Sequence, residues 1–291
     1  MKRGWKIFWI IVGSVAGLGI VLSLVAFSLG LTFGQIREAY PNGIGFVRDE
    51  YYDEAKEVLD VDPDRIPTEA AMEFENVTRL EMEMGCCEIL ILPGSDDKIR
   101  VDSSEMHLHD HGMRLAVEQD GETLSVSMTK NGKRMQVLQN MTTGNHDYGT
   151  LYLYLPAERE LQEADLRFGA VEVEADILKA EKLKLKIGAA DCSIDNLDAG
   201  DADISVGAGE LDLTGRIRGN AELQCGVGEA DLALEGREED FDYEVRCGLG
   251  EVQIGDRISF GGIGGNRIVD NGSSRKMVVD CGVGSVTVEY E

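Results

Sequence analysis

The chain has 291 residues, 28 of them basic and 54 acidic, a formal charge of −26 at pH 7, and 43% hydrophobic residues. Apolar content of this order excludes a disordered chain, while the charge excludes nucleic acid as a partner of the acidic part, because like charges repel wherever salt leaves them unscreened. Divalent cations and basic surfaces are the partners that charge favours.

Residues 1–34 open with Lys2, Arg3 and Lys6 and continue through Ile7–Gly34 without a charged side chain. That run exceeds the ~20 residues a helix needs to cross hydrocarbon, so the sequence predicts a transmembrane helix engaging a lipid bilayer through residues 7–34. The positive-inside tendency then predicts a single-pass cell-membrane protein with a cytoplasmic N-terminus and an extracellular C-terminal part. A cleaved signal peptide is the competing reading.

Residues 35–73 are polar, carry Pro41, Pro63 and Pro67, and read as a juxtamembrane stalk. Residues 74–291 read as an all-β domain. Its first part, 74–163, alternates in strand-length pieces (RLEMEM, EILILP, IRVDSS, MRLAVEQ, TLSVSMT, TLYLYLP) separated by turn-forming stretches. Within it, MHLHDHG places His107, His109 and His111 at alternate positions, on one face if the segment is a strand, where three imidazoles can hold zinc, copper or nickel.

From 164 to 291 the chain is periodic. Gly169, Gly188, Gly207 and Gly226 recur at a spacing of nineteen, followed by Gly248 and Gly282. Apolar residues precede each glycine by three and one and follow it by four and six, as in Ile204, Val206, Leu211 and Leu213. Period two on both sides of a turn means two strands per repeat, each with one buried face. Such a unit cannot cover its own apolar face, so the pattern predicts stacked repeats: a parallel β-solenoid of about nineteen residues per coil. An antiparallel meander with each glycine phrase as a hairpin turn fits the same pattern. The stretch 260–276 then reads as an insertion before the final repeat.

Two columns follow. Cys225, Cys247 and Cys281 stand where earlier repeats carry Phe168, Ile187 and Val206, and are expected as buried free thiols. A carboxylate follows the glycine by three in Glu172, Asp191, Glu210, Glu229 and Glu251, with Glu88 in an early copy and Ser285 in the last. This column is read either as turn caps or as calcium ligands, since calcium takes oxygen donors. No catalytic motif is present, and acids shared equally by every repeat do not single out an acid–base pair.

The run LYLYLPAERELQEADLRFGAVEVEADIL, with the GxGE phrases after it and DGETLSVSM before it, resembles the bacterial putative-adhesin family with β-strand repeats, formally a domain of unknown function. The resemblance implies a membrane-tethered extracytoplasmic solenoid and supplies no catalytic residue. The functional expectation is a non-enzymatic scaffold presenting an acidic surface for adhesion or envelope-stress sensing through an envelope protein or cell-wall partner. A carbohydrate-active enzyme and a divalent-cation module are the alternatives.

Overall fold

The computed structural model describes residues 71–108, 113–130, 133–134, 148–261 and 265–291. Strands form at all six of the alternating pieces in the first part. There β1 (Ala71–Phe74), β2 (Arg79–Met84), β3 (Glu88–Gly94), β4 (Ile99–Met106), β5 (Met113–Asp120), β6 (Thr123–Lys130), β7 (Lys133–Arg134) and β8 (Gly149–Pro156) follow in order. The periodic part continues with β9 (Leu161–Phe168), β10 (Glu172–Ala175), β11 (Leu178–Ile187), β12 (Asp191–Val206), β13 (Glu210–Ile217), β14 (Ala221–Cys225) and β15 (Glu229–Leu234). After one 3-10 turn at Glu238–Asp240 come β16 (Asp242–Cys247), β17 (Glu251–Ile254), β18 (Ile258–Gly261), β19 (Gly265–Val269), β20 (Lys276–Cys281) and β21 (Ser285–Tyr290).

Two parallel ladders flank the core. The first runs β6–β2–β9–β11, then the C-terminal half of β12, then β14–β20–β16. The second runs β8–β3–β10, then the N-terminal half of β12, then β13–β15–β21–β17. Between them lie the alternate apolar residues of both, such as Leu185 and Ile204 from the first and Leu211 and Val252 from the second, all at most 1% exposed. Alternation of strictly period two places each set inward and leaves its neighbours to solvent.

The expected fold class is corrected. The strands join a single 21-stranded sheet, nearly closed and barrel-like, in place of a parallel β-solenoid. Its ladders are mixed: β1 lies antiparallel to β4, β4 to β8 and β5 to β6 at one end, and β19 to β16 and β18 to β17 at the other. The physical reason is β12. Its sixteen residues pair at Asp191–Ile194 in the second ladder and at Ala202–Val206 in the first, so one strand serves both ladders, with a register shift between Ile194 and Leu197. A repeat spacing reports the local offset between strands and is silent on whether one strand serves both ladders.

Chain order and spatial order also part at the C-terminal end. The final strand pair, β20 and β21, lies between β14–β15 and β16–β17. The chain therefore skips a place after β15, folds back as β18 and β19 over the outer edges of β17 and β16, and returns to fill the gap. Polar bonds fix this crossover: Asn271 Nδ2 donates to the Phe241 carbonyl (2.7 Å), Arg275 Nη1 to the Ile217 carbonyl (3.1 Å), and Tyr243 and Tyr290 share a hydroxyl–hydroxyl bond of 2.6 Å. The Arg275 guanidinium also sits 4.5 Å from the Phe241 ring centre, a favourable cation–π distance.

The segment 7–34 and residues 35–70 of the stalk lie outside the described residues. Among the described residues no helix is long and apolar enough to cross a membrane. The expected N-terminal helix in the fold class, and the single-pass cell-membrane localisation drawn from it, are corrected to this extent: no helix among the described residues supports them, and the finding concerns helices alone.

Candidate functional site

The carboxylate column is assembled by the second ladder. Strand register places Glu88 beside Glu172, Glu172 beside Asp191, Asp191 beside Glu210, Glu210 beside Glu229, and Ser285 between Glu229 and Glu251. Two residues further along each strand a second outward column holds Leu90, Glu174, Ser193, Asp212, Asp231, Thr287 and Gln253. The acids of the first column are exposed, as are Glu174 and Asp212, while Asp231 is half-buried. Stretches 172–175, 191–194, 210–214, 229–234, 285–290 and 251–254 contain no Lys or Arg.

With strands ~4.8 Å apart, Glu210, Asp212, Glu229 and Asp231 form the densest patch. Its electrostatic consequence falls on Glu210, whose carboxyl is pushed above the ordinary range first by Asp212, then by lost hydration and by Glu229, Asp191 and Asp231. Within the same patch Asp231 Oδ1 is buried and has no hydrogen-bond partner.

The amides of the glycine turns are bonded to carbonyls of the neighbouring strand pair. Gly207 donates to Ile187 (2.7 Å), Ala208 to Gly188 (2.7 Å) and Glu210 to Ala190 (3.0 Å), and the spacing repeats at Gly226, Val227 and Glu229. Among the described residues no three His, Cys, Asp or Glu side chains are grouped to hold a metal ion. His107 is exposed and its backbone N–H donates to the Tyr148 carbonyl (2.9 Å); His109 and His111 lie outside the described residues.

The outward face of the first ladder is built differently. Lys182, Lys184 and Lys186 on β11 stand between Glu163, Asp165 and Arg167 on β9 and Asp201, Asp203 and Ser205 on β12. Lys184 pairs with Glu163 (3.0 Å), Arg167 with Asp165 (2.8 Å), Lys276 with Glu244 (2.6 Å) and Arg246 with Asp280 (3.1 Å). Lys276 and then Arg246 hold the Glu244 carboxyl below its ordinary value.

Two features escape the sequence pattern. A shallow polar depression on the first ladder is lined by Glu81, Glu83, Ser125, Ser127, Asp165 and Arg167, which come from three separated strands that share no motif. At the other end of the acidic column, the Thr150 hydroxyl donates to Glu88 and Tyr152 donates to Glu105 (2.7 Å). The TLYLYLP piece signals the strand, and nothing in it signals these partners.

No protein-family model and no curated protein sequence matches the chain. Among solved structures it is similar to a putative cell adhesion protein from Clostridium sporogenes ATCC 15579, with 14% identity over 76% of this chain and 99% of that one and a TM-score of 0.39. It is also similar to a putative adhesin from Bacteroides fragilis NCTC 9343, with 12% identity, 75% and 95% coverage and a TM-score of 0.36. A putative lipid binding protein from Parabacteroides distasonis ATCC 8503 is similar at 13% identity, 75% and 95% coverage and a TM-score of 0.29.

Proposed function

We propose that the chain is a non-catalytic adhesive scaffold that docks a basic partner surface, an envelope protein or a cell-wall component, through the outward face of its second ladder. The observation that carries this reading is the unbroken acidic column of Glu88, Glu172, Asp191, Glu210 and Glu229, on stretches 88–94, 172–175, 191–194, 210–214 and 229–234 that contain no Lys or Arg. Charges of one sign on a rigid sheet sum to a field that steers an oppositely charged partner and weakens as salt rises. A catalytic pair, in contrast, needs two carboxyls whose surroundings differ enough to separate acid from base, and successive strands give these acids nearly equivalent places.

The test is binding of the full chain to a polylysine-coated sensor surface over a salt series. Replacing Glu172, Glu210 and Glu229 by Gln and Asp212 by Asn should reduce binding by tenfold or more and flatten its salt dependence. The same number of acid-to-amide changes on the first ladder, at Glu163, Asp201, Asp203 and Glu222, should leave a steeper salt response. Equal losses from the two sets would overturn the reading.

A further inference from the structure

The inward column at the C-terminal end of the first ladder runs Val206, Cys225, Cys281, Cys247, because the last strand pair is threaded between its predecessors. Three thiols that the sequence spaces unevenly thus become successive neighbours. All are free, and they are 2%, 4% and 5% exposed in that order. In-register parallel neighbours lie ~4.8 Å apart at Cα, inside the ~4.4–6.8 Å that a disulfide spans. The thiols of Cys225 and Cys281 donate to the carbonyls of Gly228 and Gly284, each at 3.2 Å.

We propose that this thiol ladder is a redox-modification site at which Cys225 and Cys281 close a disulfide when the chain meets an external low-molecular-weight disulfide, stapling the threaded β20 to β14. The exchange can open at Cys225, whose thiolate is then the nucleophile. Its sulfur bonds to one sulfur of the oxidant and the other leaves as a thiolate. Cys281 then gives its proton to solvent, attacks the Cys225 sulfur of the mixed disulfide and displaces the second thiolate. Two protein thiols are oxidised and one external disulfide is reduced to two thiols.

Glycine turns cover the two sulfurs, so the oxidant reaches them only as those turns open. A Cβ on Gly284 would lie 3.0 Å from the Cys225 sulfur and one on Gly250 2.7 Å from the Cys281 sulfur, so only a Cα hydrogen separates each thiol from the turn above it. The consequence is specific to this topology. Residues 226–280 include the skipped place and the fold-back, and a bond across that long loop opposes withdrawal of the threaded strand.

The experiment treats the full chain with oxidised glutathione, alkylates remaining thiols in denaturant and maps the peptides. Four of the six cysteines should be alkylated, with one cross-link between Cys225 and Cys281, and a reductant should lower the melting temperature of the oxidised form by several degrees. Cys225→Val and Cys281→Val should each abolish the cross-link; Val206 already fills this column, so the fold should survive. Cys247→Ala, which does not touch the bond, should leave the cross-link in place. Six alkylated cysteines, a persistent glutathione adduct without cross-link, or a cross-link through Cys247 would each overturn the proposal.

Discussion

The two ladders share a core and differ on their outer faces. In the first ladder Lys184, Arg167, Arg246 and Lys276 are set among acids at contact distance, so the field of that face largely cancels. In the second, the acids of adjacent strands meet one another, and Glu210 registers the result. Backbone hydrogen bonding and the packed interior therefore tolerate either arrangement. Surface charge pairing contributes little to stability, which leaves the outer residues of a sheet open to selection for recognition.

The largest effect should come where the two ladders meet. A Cβ at Gly209 would come within 2.0 Å of the Ala190 carbonyl oxygen, and backbone cannot yield as a side chain can. Gly209→Val should cost about 4 kcal/mol or more, and circular dichroism should show both ladders lost in one transition. An unchanged urea midpoint would show that the corner is not shared.

Next come paired core truncations. Leu185 and Leu211 are both 0% exposed, one in each ladder, and each changed to Ala should cost about 2–5 kcal/mol. Urea unfolding should give similar values, because the asymmetry is confined to the outside. A gap of more than about 3 kcal/mol between them would break the comparison.

A smaller effect is expected at Lys184→Gln, which removes the partly exposed pair with Glu163. Its loss should stay below about 1 kcal/mol and shrink further in high salt.

The smallest and most diagnostic effect is the sign of the pH response. Glu210 is raised, so its contribution to stability is present below its ordinary pKa and lost as pH rises through the raised value. Glu244 is lowered, so its contribution is present above the ordinary value and lost as pH falls through the folded-state one. Carboxyl NMR titration should place the Glu210 midpoint above that of Glu244, and Glu210→Gln and Glu244→Gln should change the acid limb of the melting curve in opposite directions. Midpoints in the reverse order would remove the electrostatic difference between the faces.

Much of the candidate site was legible. The period-two pattern separates Leu211 and Leu213 from Glu210 and Asp212 before any fold is known, and the nineteen-residue spacing puts Asp191, Glu210 and Glu229 in one column. The same spacing fails after Glu229. Ser285 comes next in space and Glu251 beyond it, because the fold-back at β18 and β19 reverses the order of the last two strand pairs. The column of three thiols was legible, and only its order was hidden for the same reason. Cys247 is nearer to Cys225 in sequence, yet Cys281 lies between them.

The sequence by itself determined which side of each strand meets the core and which residues recur at each place, since alternation is a property of the extended backbone and needs no partner. Only the tertiary structure decided that β12 serves both ladders as one strand, that the last strand pair enters between two earlier ones, and that acids are paired with bases on one outer face and stand beside one another on the other. Those outcomes depend on which distant strand supplies the next row of backbone donors and acceptors, and a local pattern satisfied by any parallel neighbour does not choose among them.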